Sequence, residues 1–186
     1  QTMIIELKKI QRELSLTFIM VTHSQEEAMS MADKVIVMSD AMIQQTGTSR
    51  EIYESPRTRF VAEFIGNNNL FTGITRSRSG SIVIIEVADH LCYVAAPENG
   101  RRVTPGEEVA FSVRADVMHT GEQTDMANRI EGRYLTTEFR GSLETDVFEL
   151  TPGHFIRVEQ HRNVSDQMYA PGDREVIFWP AESGVL

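Results

Sequence analysis

Hydrophobic positions in the first third of the chain recur at helical spacing and then close into solid runs. Met3, Leu7, Ile10 and Leu14 fall on one helical face, and Lys8, Lys9, Arg12 and Glu13 lie mostly off it. Thr17 to Thr22 predicts a strand. Its centre, Phe18-Ile19-Met20-Val21, is apolar at every position, as in a parallel sheet covered on both faces. Ser24-Gln25-Glu26-Glu27 reads as a capping box opening a helix that runs to about Asp33. Lys34 to Met38 predicts a second apolar strand, Asp40-Ala41 a turn, and Met42 to Gln45 the return. Thr48-Ser49-Arg50-Glu51 is a second capping box, starting a short helix before Ser55-Pro56. Thr58 to Ile65 predicts a further helix, with Gly66 as its stop.

Beyond Asn67-Asn68-Asn69, expected to be a polar hinge, the texture changes. Short runs follow at Leu70–Thr75, Ser81–Val87, Leu91–Ala95, Glu108–Arg114, Arg129–Phe139, Glu144–Leu150, Phe155–Glu159 and Arg174–Trp179. Gly80, Asn99-Gly100, Pro105-Gly106, Gly121, Gly141, Pro152-Gly153 and Pro171-Gly172 break them. Strands spaced by turn residues predict an all-β barrel or sandwich. No strong internal repeat stands out, although two similar small barrels would fit. The expected organisation is an α/β segment over 1–66 and a β domain over 67–186, α+β overall.

Charge changes this picture in one respect. The 186 residues carry a formal net charge of −9, which argues against nucleic acid as a main partner. Residues 67–186 hold eleven basic groups, all Arg, against eighteen acidic ones. An oligonucleotide-binding barrel needs a basic groove with exposed aromatics. The single cysteine, Cys92, excludes an internal disulfide and sits in an apolar run, as a buried thiol would. No run approaches the roughly 18 apolar residues of a membrane-spanning helix, and the pattern leads to the expectation of no secretory signal peptide. The chain opens at Gln1 inside a helical pattern, which leads to the expectation of a piece of a longer protein.

From Glu6 to about Gly73 the chain resembles the C-terminal part of an ABC-transporter ATP-binding subunit, which implies the C-terminal piece of a RecA-like α/β ATPase core. The resemblance is carried by Thr17-Phe18-Ile19-Met20-Val21-Thr22-His23, Gln25-Glu26-Glu27-Ala28-Met29 and Ala32-Asp33-Lys34-Val35-Ile36-Val37-Met38. It continues through Ile43-Gln44-Gln45-Thr46-Gly47-Thr48, Glu51-Ile52-Tyr53-Glu54-Ser55-Pro56 and Phe60-Val61-Ala62-Glu63-Phe64-Ile65-Gly66. The later blocks are similar to the importer subgroup that handles polyamines, ferric iron, sulfate, phosphonates or sugars. Those subunits end in an OB-like domain called TOBE, which residues 67–186 resemble in length, texture and Phe111-Ser112-Val113-Arg114. Val176-Ile177-Phe178-Trp179-Pro180 resembles the last TOBE strand of the polyamine and iron branch.

The sequence departs from the family at three positions. Ser24 stands where Asp is usual, Ala41 where Gly is usual in the hairpin turn, and Ser49 where Pro is common. Ser24 is still a good N-cap. Ala41 implies a turn without an obligatory positive φ, or modest strain. The chain contains no G-x-x-x-x-G-K-[ST] phosphate loop, no acidic strand end for Mg²⁺ and no Leu-Ser-Gly-Gly-Gln-type signature.

His23 is the candidate chemical residue. Spacing alone favours a structural histidine hydrogen-bonded near a helix start, since a lone histidine is weak evidence of chemistry. The resemblance implies the switch-loop histidine that contacts the ATP γ-phosphate and places the attacking water. Imidazole suits that work because it can donate to a phosphate oxygen and accept from water near neutral pH. The resemblance further implies ATP and Mg²⁺ as cofactors of the parent, with none for this piece, which is expected to be inactive alone. It implies as partners a second copy, integral-membrane permease subunits and a small oxyanion or solute at the β domain. The implied location is cytoplasmic, peripheral to the inner face of the membrane. An alternative reading is a stand-alone β module for ligand binding or dimerisation.

Other candidates are weaker. His90, His119, His154 and His161 show no metal-ligand spacing. Glu26-Glu27 could resemble a catalytic acid pair, but a first helical turn favours capping and dipole roles. Arg114 could bind an oxyanion or sit in a surface ion pair. Asp166, Asp173, Glu175 and Glu182 read as solvated surface, and Phe60, Phe64 and Ile65 as packing between the two domains.

Overall fold

The computed structural model describes residues 2–96, 102–121, 126–161 and 169–186. The chain divides into two compact units, Gln1–Ile65 and Gly66–Leu186.

The first unit holds α1 (Thr2–Leu14), α2 (Gln25–Met31), β1 (Val35–Ser39), β2 (Met42–Gly47), α3 (Ser49–Glu54) and α4 (Arg59–Phe64). Its core is small: Val35, Val37, Ile52, Val61 and Ile65, with Met29, Ala32, Tyr53 and Phe60 packed on it. Thr48 completes its capping box with Glu51, and Thr58 caps α4 through the Val61 N–H. Gly66 stops α4 at φ 71, the left-handed conformation glycine adopts without strain.

Two expectations for this unit are corrected, and a third resolves to one of its alternatives. Residues 17–22 form no strand. Among the described residues no strand runs beside them to pair their backbone, and Ile19 and Val21 stand 92% and 96% exposed. The sheet present is the antiparallel hairpin β1–β2, not a parallel layer. The turn joining β1 to β2 holds Asp40 and Ala41 at φ 52 and 60. This two-residue positive-φ turn suits the right-handed strand twist, so Ala41 carries the strain that a glycine would avoid.

The second unit contains β3 (Asn68–Ser79), β4 (Ile82–Val87), β5 (His90–Ala95), β6 (Glu108–Arg114), β7 (His119–Thr120), β8 (Asn128–Arg140), β9 (Leu143–Thr151), β10 (His154–Gln160), β11 (Arg174–Trp179) and β12 (Gly184–Val185). They form two five-stranded antiparallel sheets, β12-β6-β3-β4-β5 and β10-β9-β8-β11-β7. Residues of both sheets build one core, which includes Phe71, Phe111, Ile130, Phe148, Ile177 and Trp179. The Phe71 ring stacks on both Phe111 and Trp179, at 5.0 and 5.5 Å.

The sheets are two copies of one plan, an internal repeat that the sequence does not announce. A long bulged strand (β3 or β8) leads to a hairpin (β4–β5 or β9–β10), a return strand (β6 or β11), a 3-10 turn and a short strand. That last strand crosses over. β7 pairs with β11 of the second copy, and β12 with β6 of the first. Pro-Gly turns recur at the same place. Gly106 N–H donates to Thr75 O and Thr75 N–H to Glu107 O, while Gly172 N–H donates to Tyr134 O and Tyr134 N–H to Asp173 O. Gly73 and Gly132 are matched close-approach positions, where a Cβ would sit 2.3 Å from Glu86 O and 2.9 Å from the Phe148 Cβ respectively.

Asn69 and Asn128 complete the match and correct the hinge reading, since Asn68 and Asn69 open β3 and Asn69 is buried. The Asn69 amide donates to Arg157 O and accepts from Arg157 N–H, both at 2.7 Å. The Asn128 amide donates to Tyr93 O at 2.9 Å and accepts from Tyr93 N–H at 2.5 Å. Each asparagine reaches from one copy to the outermost strand of the other and pairs backbone groups that an edge strand would leave open.

Candidate functional site

His23 lies in the turn that leads into α2, and its neighbours on both sides are tied down. Ser24 is the N-cap, in extended backbone, and its hydroxyl accepts from Glu27 N–H at 3.2 Å. The capping box expected here is only half made. Instead of accepting from Ser24 N–H, the Glu27 carboxylate accepts from the Thr22 hydroxyl at 2.6 Å. Ser24 N–H donates to Thr22 Oγ1 at 3.0 Å. The Thr22 hydroxyl is therefore inserted into the box, and the link closes across His23. Gln25 Nε2 donates to Phe64 O, joining α2 to the end of α4. His23 itself is exposed. The turn can present an imidazole from a backbone fixed on either side.

The other candidates do not converge. His154 Nε2 lies 3.0 Å from Leu70 O and His161 Nδ1 2.9 Å from Ser142 O, while the His119 ring leans on Phe178. His90 opens β5. Among the described residues no three His, Cys, Asp or Glu side chains gather to hold a metal ion. Arg114 forms a two-bond ion pair with Asp116, at 2.9 and 3.1 Å. Asp173 accepts from Ala170 N–H. Burial pushes the Glu175 carboxyl above its ordinary range, helped by the nearby Asp173 charge. Glu182 sits in a 3-10 turn, Glu26 is exposed on α2, and Asp166 lies outside the described residues. Phe60 and Phe64 stack at 5.6 Å, with Phe64 41% exposed and Ile65 buried in the core of the first unit. Burial pushes the Cys92 thiol up to about 12, so no reactive thiolate is available there.

A polar group in the second unit was not foreseen. Asp146 is fully buried on β9. Its carboxylate accepts from Thr137 Oγ1 and from Gln160 Nε2, and Tyr134 OH lies 2.7 Å from Thr137 Oγ1. The matching position of the first copy is the apolar Val83. One residue breaking the alternation of β9 was the available signal.

Known proteins of similar sequence match nearly the whole of this chain. The spermidine/putrescine import ATP-binding protein of Aliivibrio fischeri is 37% identical over 179 residues, covering 94% of this chain and 47% of that protein. Its counterpart in Nostoc sp. is 38% identical over 190 residues, covering 98% of this chain and 48% of that protein. The matched part is their C-terminal half. The chain is thus similar to the C-terminal half of ABC-importer ATP-binding subunits. It spans about half the length of the curated relatives it matches. A scan of protein-family models finds no match. Among solved structures, the cytoplasmic molybdate-binding protein ModG, in a form with molybdate bound, superposes with a TM-score of 0.57 at 18% identity, covering 65% of this chain and 96% of that one. At that identity the likeness is one of fold, and it supports an OB/TOBE-like β fold for the second unit.

Proposed function

We propose that this chain is the part of a polyamine importer's ATP-binding subunit that carries the switch histidine and a C-terminal TOBE domain. The observation that carries the reading is the match along 94% of the chain to spermidine/putrescine import ATP-binding proteins. Within it, residues 1–66 complete the α/β ATPase core, and residues 67–186 form the regulatory and dimerising domain. The parent hydrolyses ATP and couples this to uptake through membrane permease subunits, as a dimer at the cytoplasmic face of the membrane. The molybdate of the structural neighbour supports a small oxyanion as a ligand of the β domain.

ATP with Mg²⁺ does not fit the residues of this chain by themselves. The sequence has no phosphate loop, and no metal-holding group gathers among the described residues. The chain's proposed contribution is His23. On a backbone held through Thr22 and Ser24, its imidazole would be available in the full-length protein to donate to a phosphate oxygen and accept from water, a positioning and electrostatic role. The test is ATP turnover and spermidine uptake by the full-length protein assembled with its permease in vesicles. His23→Ala is expected to lower turnover about a hundredfold, the range for loss of one transition-state contact. Unchanged turnover would reject the switch role.

A further inference from the structure

We infer that Glu27 is a positioning residue for His23, acting through the Thr22 hydroxyl. This rests on the reading of His23 as the switch histidine. A Glu three residues after a Ser N-cap has a ready local partner, the N-cap's own N–H. The same chain makes that bond in full at Thr48, where Thr48 N–H donates to Glu51 Oε2 at 2.7 Å. At Ser24 it does not. The Glu27 carboxylate accepts a hydrogen bond from the Thr22 hydroxyl instead.

The consequence follows from the hydrogen-bonding capacity of a hydroxyl, which has one donor and two acceptor sites. With its proton committed to Glu27 Oε2, Thr22 Oγ1 turns a lone pair to Ser24 N–H. The residues before and after His23 are thereby held by one oxygen atom, and that oxygen is held by Glu27. The Glu27 N–H bond to Ser24 Oγ anchors the other side of the same loop. Simple capping needs only Ser24 Oγ and the helix; the Thr22 link adds nothing to α2 beyond its first turn. What the link does fix is the backbone on which the imidazole stands. A bond to a carboxylate is stronger than one between neutral groups, so the held geometry has less freedom than a neutral turn.

The test pairs an exchange measurement on this 186-residue chain with kinetics of the full-length protein. Glu27→Ala removes the acceptor, Thr22→Val removes the hydroxyl, and Glu27→Gln and Thr22→Ser keep the link. In the chain, Glu27→Ala is expected to speed hydrogen exchange at the Ser24 amide about tenfold, while Glu27→Gln leaves it near wild type. In the full-length protein, Glu27→Ala and Thr22→Val are each expected to lower kcat about tenfold with KM for ATP unchanged. The double variant should lose no more than the worse single one, because both cut the same link. Glu27→Gln and Thr22→Ser should restore most of the turnover. An unchanged Ser24 amide in Glu27→Ala overturns the inference, because the link then does not hold the turn. Faster exchange with unchanged kcat overturns it too, leaving Glu27 as a capping residue. If His23→Ala leaves turnover intact, the switch reading itself fails, a result separate from the Ser24 exchange.

Discussion

Two glycines show how closely the second unit is built. At Gly73 the backbone of β4 passes so near that an added Cβ would meet Glu86 O at 2.3 Å and two side-chain methyls at 2.8 Å. A carbonyl in a sheet cannot retreat without breaking its ladder. At Gly132 the nearest atoms are the Phe148 Cβ at 2.9 Å and the Ile177 Cδ1 at 3.1 Å. The Ile177 tip can yield, but the Phe148 Cβ moves only with β9. Gly73→Ala is therefore expected to destabilise the unit by about 3 kcal/mol, and Gly132→Ala by about 1–2 kcal/mol, within the range for overpacking. Urea unfolding of the two variants checks both size and order. A Gly73→Ala protein as stable as the wild type would mean that β3 and β4 are further apart than described.

Among the elements, α3 offers a clean electrostatic case. Hydrogen bonds from Thr48 N–H and then from its hydroxyl hold the Glu51 carboxyl below the usual carboxylate range. The folded pKa is thus lower than the unfolded one. The carboxylate's contribution is complete above the ordinary range and disappears as pH falls through the depressed value. Thermal melts of wild type and Glu51→Gln should differ most near neutral pH and converge in acid; a gap that widens in acid would sink the account. This box was legible in the sequence because all its partners are local, three residues apart. The same locality made β6 and β11 legible to the residue, as Glu108–Arg114 and Arg174–Trp179. The run Thr17–Thr22 misled because an apolar run reports burial, and a strand needs a neighbour to pair with. Asn67 to Asn69 misled because polar residues read as solvent-facing, while Asn69 is buried with both ends of its amide paired to a strand 88 residues on. At the candidate site, His23 was legible as a histidine beside an N-cap. The bond that diverts Glu27 to Thr22 was not, since pattern alone assigned that carboxylate to Ser24.

For the molecule as a whole, the internal repeat decides how the second unit must unfold. Its sequence identity is sparse and sits at positions with geometric duties, Asn69, Gly73 and Pro105-Gly106 matching Asn128, Gly132 and Pro171-Gly172, which is why composition and texture hid it. Neither copy is complete alone. Each lends a short strand to the other's sheet, and each closes the other's outermost strand with an asparagine. Losing one copy would strip the other of a strand, of a pair of backbone bonds and of half the shared core. The unit is therefore expected to unfold in a single transition, in spite of its two sheets. Asn69→Ala removes the two bonds to Arg157, leaving its N–H and C=O without that partner, and a third to Met118 Sδ; Asn128→Ala removes the matching two at Tyr93. An unsatisfied buried group costs about 1–3 kcal/mol, so either variant should lower the urea midpoint substantially while the transition stays single. The two effects should not add fully, because both act on one interlocked structure. Circular dichroism and Trp179 fluorescence followed through the same urea titration make the check. Coincident curves that shift together are expected, whereas separate transitions for the two probes would show that the copies stand independently and that the asparagines do not join them.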